Sequence, residues 1–329
     1  MTVKAARKSV LKQHAQGALM KRLIAPSLLM AVMLLAEGVL APAHAQGPGL
    51  DLKPTFISST PGLYVNGWPA FTVSYPKEWE EVPAFLTGFT AGLPRPDLPP
   101  AYHLPALTII LRPNPPPLED WAKTMMPIYQ QLGTDIKVLS DKPSLLKDGT
   151  PAREAEVAYI DKNGIKWNDF VLVTKKESVY LVIHVVDDKG RIGEDLKRIA
   201  YSLIFLPGRE EPVNVPPDVK AFFDMWCVDV KSGDVKAIMA HFSDRFLFSG
   251  ASKTGIEQGF RNGPFSLIRR GVISEEAIVT VFEPRGGKAY VDGFYLSKAK
   301  GDANAGKFPM MFQQIINEHG EWRWFGNQK

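Results

Sequence analysis

The sequence predicts an α+β protein of two domains, an antiparallel sheet with packed helices followed by a curved sheet wrapped around helices, and three observations lead there. Some segments alternate apolar and polar residues at the period of a strand, while others carry apolar residues at helical spacing behind capping signals. Residues 206–217, LPGREEPVNVPP, hold four prolines, which stop helices and make a semi-rigid spacer. The chain of 329 residues also exceeds what one hydrophobic core ordinarily organises.

Residues 1–45 read as an export signal whose functional start is Met20. Met20-Lys21-Arg22 gives a short positive region, Leu23 to Leu40 an apolar run, and Ala43-His44-Ala45 a small-x-small cleavage pattern ahead of Gln46. The alternative is a retained anchor. Pro26, Glu37 and Pro42 interrupt the run, against the roughly 20 apolar residues that a spanning helix needs. No Cys follows the cleavage pattern, so the expected product is periplasmic or secreted and not lipid-anchored. The leader holds six Lys or Arg and one acid, so the remaining 33 basic and 34 acidic residues leave a formal charge of −1. Without a basic stripe there is no footprint for a nucleic-acid partner.

Residues 46–62 read as a lead-in, and 63–207 as the first domain. Phe71 to Tyr75 alternates as a half-buried strand and Pro76 ends it. Residues 84–105, rich in Gly and Pro, predict a long loop, and 107–111 a short buried strand. Pro117 opens a helix with Glu119 and Asp120 at its positive end. Leu118, Trp121, Met125, Ile128 and Leu132 form its stripe; Pro127 is expected to bend or shorten it, and Gly133 to close it. Strands follow at 137–146, 151–160, 166–174 and 179–186, joined by turns such as Asp148-Gly149. The last of these, VYLVIHVV, is apolar on both faces, as a central strand is. A helix from 193 to about 202 stacks Leu196, Ile199 and Leu203.

After a linker at 208–217, the second domain spans 218–329. Val219, Phe222, Phe223, Trp226 and Val230 form one helix face, Ser232-Gly233 breaks it, and Asp234 caps a second helix to His241. A third helix is expected at 254–261. Strands at 277–283 and 288–296 make a hairpin about Arg285-Gly286-Gly287, and strands at 310–318 and 322–325 turn at His319-Gly320.

On the segments FTVSYPKEW, GTPAREAEVAY and IAYSLIFLP, the first domain resembles the PsbP-like family, which implies a small exported or adaptor domain without enzymatic activity. On its helix, SGD break, HFSDRFLFSG, hairpin and closing EWRWFGNQ, the second resembles the nuclear transport factor 2-like, or SnoaL-like, superfamily. That resemblance implies a cone-shaped α+β half-barrel with a pocket between sheet and helices. In the superfamily's ketosteroid isomerase branch a general-base Asp follows the second helix. Here Ser249-Gly250 fall at that place, and neither can abstract a carbon-bound proton.

The candidate pocket residues are Trp226, His241, Phe248, Tyr290, Asp292, Phe294 and Trp324. Alternation puts Tyr290, Asp292 and Phe294 on one strand face; inside a cone, an acid between aromatics would hold its proton and could act as a base. On the outside it would be a solvated strand residue. His241 is expected at a helix end with a solvent face. Cys227, the one cysteine, forms no internal disulfide and reads as a buried hydrophobe. His103, His184, His241 and His319 show no metal-ligand spacing, and His184 reads as a satisfied core histidine. No cofactor motif is present.

The expected function is an exported, non-enzymatic binding protein taking a small apolar ligand or an envelope protein. Two alternatives are a hydrolase or isomerase using Asp292 with His241 or Tyr290, and an envelope assembly factor. A homodimer through the sheet face carrying Trp322 and Trp324 is also expected.

Overall fold

The computed structural model describes residues 61–82, 89–98, 102–113, 117–176, 179–206, 211–248, 251–262, 272–299 and 304–327. The leader, most of the lead-in and Ser249-Gly250 lie outside them. The N-terminal half runs β1 (Leu63–Asn66), β2 (Phe71–Ser74), β3 (Glu80–Glu81), β4 (Phe89–Pro94), β5 (His103–Pro113), α1 (Trp121–Leu132), β6 (Gly133–Leu145), β7 (Pro151–Asp161), β8 (Lys166–Lys176), β9 (Val179–Asp187), α2 (Glu194–Ala200) and β10 (Ile204–Phe205). Its main sheet has the order β3-β4-β5-β9-β8-β7-β6 and is antiparallel throughout; β1, β2 and β10 make a small second sheet.

Strand alternation sorts the main sheet's side chains into two cores. Ile110, Val171, Val173 and Val182 meet Trp121, Met125, Ile128 and Leu132 of α1. Leu107, Ile109, Leu172, Leu181 and Ile183 meet Phe71 and Val73 of the small sheet and Ile199 of α2. Covered on both faces, β9 has no polar side, which is why VYLVIHVV reads as a continuous apolar run. Pro127 lies inside α1, and the helix continues to Leu132. The apolar stripe buried on both sides of the proline offsets the roughly 3 kcal/mol that an interior proline costs.

The expected loop at 84–105 is corrected. It contains β4, and β5 begins already at His103. Gly92 is a close-approach residue: a Cβ there would stand 2.9 Å from the Pro105 carbonyl oxygen and the Ala106 Cβ.

The C-terminal half runs α3 (Pro217–Ser232), α4 (Val235–Ala240), β11 (Phe242–Phe248), β12 (Ala251–Ser252), α5 (Lys253–Asn262), β13 (Val272–Arg285), β14 (Lys288–Ala299), β15 (Gly306–Pro309), β16 (Gln314–Glu318) and β17 (Glu321–Gly326). Gly233 ends α3 at φ 73°, and the Asp234 carboxylate accepts the N–H groups of Lys236 and Ala237 to start α4. The sheet order is β12-β11-β17-β16-β14-β13, with β15 also on β14. Its β11–β17 pair is parallel and its other pairs are antiparallel. The expected strand at 310–318 starts only at Gln314, since Met310 and Phe312 turn into the core instead. Among the described residues no helix is long and apolar enough to cross a membrane.

The halves touch. Trp68 packs with Val179 and with Phe294 of β14, and the linker's Val213 N–H donates to the Val279 carbonyl of β13.

Candidate functional site

Four of the seven expected pocket residues are core. Trp226 of α3 meets His241, Phe242 and Trp324 edge-on, with ring centroids 5.7, 5.7 and 5.8 Å apart, and Phe248 meets Phe312 at 5.4 Å. These rings fill the space between α3 and the sheet. His241 lacks its expected solvent face: it is 8% exposed, and its Nε2 stands 2.7 Å from Asp229 Oδ2, tying the end of α4 back to α3. Trp322 and Trp324 do share a face, and that face looks inward, with Trp324 fully buried and the Trp322 indole donating to Asp218.

The other three, Tyr290, Asp292 and Phe294, share a face as alternation requires, but it faces the N-terminal half. Asp292 accordingly lies at the seam between the halves, neither in the candidate pocket nor on a solvated strand face, the two alternatives that alternation left. Asp292 Oδ2 accepts the Gly67 N–H at 2.9 Å and the Tyr290 hydroxyl at 3.1 Å, and Oδ1 accepts the Gly293 N–H at 2.7 Å. Phe294 packs at a tilt against Trp68, with ring centroids 4.6 Å apart. Burial pushes the Asp292 carboxyl up to about 7 despite these donors, and raises the Tyr290 phenol well above its ordinary range. Buried and filled with donors, Asp292 is placed to hold a loop.

The opposite face of the β13–β14 ribbon turns toward α3. In register, Ala277 pairs with Tyr295 and Glu275 with Ser297. Glu275 shares the side of Ala277 and Val279, which pack against the core that contains Cys227 and Tyr295. Burial pushes the Glu275 carboxyl up to about 7, with the Ser297 hydroxyl as its counterweight. Burial first, and then Glu275, pushes the Cys227 thiol up to about 12, and Tyr295 is raised well above its usual range by burial and by both neighbours. Cys227 is accordingly a thiol at neutral pH and no nucleophile. Glu275 Oε2 is buried without a hydrogen-bond partner, and the Trp226 indole lies against the Tyr295 hydroxyl. Glu275 escapes the sequence reading because the expected strand begins at Ala277, five residues after β13 does, and Ser297 lies one residue beyond the expected end of the next strand. The parity of SEEAIV, with Glu275 two before Ala277 and four before Val279, is the signal that could have found the acid.

A second buried polar group lies beneath α1. The Tyr129 hydroxyl donates to Asp169 Oδ2 at 2.5 Å, and His184 Nδ1 meets the same oxygen at 2.8 Å. His184 is fully buried and only half satisfied, because its Nε2 has no partner. Burial lowers nearby Arg112 to about 10. Enclosed by apolar side chains, this cluster ties α1 to β8 and β9. Among the described residues no three of His, Cys, Asp and Glu gather as metal ligands.

No family model matches the chain, and no curated protein matches it in sequence. Solved structures share parts of its outline. The cyanobacterial PsbP (CyanoP) of Synechocystis sp. PCC 6803 is 15% identical over 49% of this chain and 100% of its own, with a TM-score of 0.35. A protein from Bacteroides thetaiotaomicron is 11% identical over 80% of this chain and 88% of its own, at 0.33. A protein of unknown function from Mycobacterium tuberculosis is 15% identical over 34% of this chain and 72% of its own, at 0.25. The class that the architecture itself defines is α+β, with mainly antiparallel sheets and helices packed on them.

Proposed function

We propose that this is an exported, non-enzymatic binding protein whose C-terminal half, a half-barrel of the nuclear transport factor 2-like type, holds a small, mainly apolar molecule beside Glu275. The observation that carries this reading is a buried carboxylate oxygen without a partner, Glu275 Oε2, amid aromatic and aliphatic side chains. Leaving such an oxygen unsatisfied costs about 1–3 kcal/mol. A ligand hydroxyl would satisfy it, while its apolar body packs against the surrounding side chains. The PsbP-like N-terminal half is then a docking module fixed to the binding half.

A thermal-shift screen with lipids, steroids and quinones tests it. A ligand present at 100 times its Kd adds about 2.7 kcal/mol to the native state, so the melting temperature should rise. Glu275→Gln should blunt that rise. No shift with any of these classes rejects the reading.

One observation favours a second reading, an isomerase with Glu275 in place of Asp292 as proton acceptor. A carboxyl pushed up to about 7 is poised to take and return a proton at neutral pH. Solvent deuterium entering a bound ketone in the wild type, and not in Glu275→Gln, would support it; equal incorporation in both would reject it.

A further inference from the structure

The seam between the halves is built around one acid. Asp292 is 2% exposed, and it receives the Gly67 N–H from the β1–β2 turn, a segment 225 residues away in sequence, with the Trp68 N–H beside it. The turn is shaped to reach it. Asn66 donates through Nδ2 to the Pro69 carbonyl at 2.9 Å and accepts the Tyr64 hydroxyl at 2.8 Å, which holds the backbone of residues 66–69 against β14. Gly67 lies so close that an added Cβ would strike the Asp292 carboxylate.

The titratable groups nearest this carboxyl are tyrosines, with acids behind them. Tyr290 faces it from β14 and Tyr64 from β1, with Glu283 of β13 beyond Tyr290 and Glu81 of β3 beyond Tyr64. Lys307 of β15 sits over the Phe294 ring at 5.0 Å. An ionised Asp292 in this seam is a buried anion held by dipoles, a costly arrangement. A protonated Asp292 keeps every bond if its hydroxyl donates to the Tyr290 oxygen, because a phenol serves as donor or acceptor. Gly67 and Gly293 then still have carboxyl oxygens to meet.

We propose that Asp292 is a proton-controlled latch: with its proton the two halves dock through the Gly67-Trp68 turn, and on ionisation the turn loosens. The direction follows from linkage. The docked carboxyl holds its proton to about 7, whereas an undocked one in water has the ordinary value of 3.8. Protons therefore favour docking, and docking weakens as pH rises through neutrality.

Amide hydrogen exchange of the full chain tests this, read at Gly67 and Trp68 between pH 5.5 and 8.5 and corrected for the intrinsic rate. Protection at these amides should fall at least about tenfold across the range, since below the docked carboxyl's midpoint each step of one in pH changes the docking equilibrium by a factor of ten. Amides of β9, deep in the N-terminal sheet, should hold theirs. Asp292→Asn, isosteric and uncharged, should make the corrected protection independent of pH. Constant wild-type protection, a parallel fall in β9 or an unchanged slope in Asp292→Asn would each overturn the latch. If Asp292→Asn does not fold, Gly67→Ala takes its place: it must expose Trp68 at every pH, and full protection there overturns the proposal.

Discussion

Glu275 and Asp292 occupy one hairpin and face opposite ways, and the difference decides what each can do. Asp292 is surrounded by donors, whereas Glu275 keeps one oxygen without a partner beside Tyr295 and Cys227. Both are pushed up by burial, so both bind a proton more tightly in the folded than in the unfolded chain. For Glu275 the stabilising contribution is complete below its ordinary 4.5 and is lost as pH rises to about 7. Urea denaturation should therefore show stability declining across that window, by at most about 1.4 kcal/mol per pH unit from this group. Glu275→Gln should flatten the decline in part, with the remainder belonging to Asp292; an unaltered slope would remove Glu275 from the account. The same scale explains His184. A histidine in an apolar strand was legible as core, but its partner Asp169 lies on the neighbouring strand, and no spacing rule connects the two.

At the scale of elements, what is legible depends on how local its cause is. The stripe and caps of α3 and α4 lie within a few residues of one another, so the Ser232-Gly233 break and the Asp234 cap could be read directly. Asp234→Ala should cost about 1 kcal/mol in chemical denaturation, because it strands the N–H groups of Lys236 and Ala237; a loss near zero would mean that water replaces the cap. Strand β4 could not be read. Its Gly and Pro content imitates a loop, and it is a strand because Ala91 pairs with Leu107 and Phe89 with Ile109. The exposed edge strand β6 is a further case. Val138 and Leu139 are about half exposed, yet irregular register on both sides of this pair and neighbouring Lys137 and Lys142 blunt the edge against pairing with another chain.

For the whole molecule the question is whether the halves behave as one body. Trp68, Val179 and Phe294 form a small core of their own at the seam, with Trp68 1% exposed. Truncating a buried tryptophan costs about 3–5 kcal/mol, here charged to the docking of the halves. Scanning calorimetry near pH 6 should give one transition for the wild type and two for Trp68→Ala. A single transition in the variant would mean that the halves remain coupled without the ring.

The sequence by itself determined the helices of the C-terminal half, the pairing sense of the long strands in the N-terminal sheet and the sharing of one face by Tyr290, Asp292 and Phe294. These follow from periodicities of 3.6 and 2 and from capping chemistry, which act over a few residues. Only the tertiary structure decided that this face meets Trp68 and that the opposite one carries Glu275 toward α3. Alternation divides a strand into two faces without saying which is in and which is out. That choice is made by packing between segments more than 200 residues apart, and it made Asp292, a candidate pocket acid, a fastening between the halves.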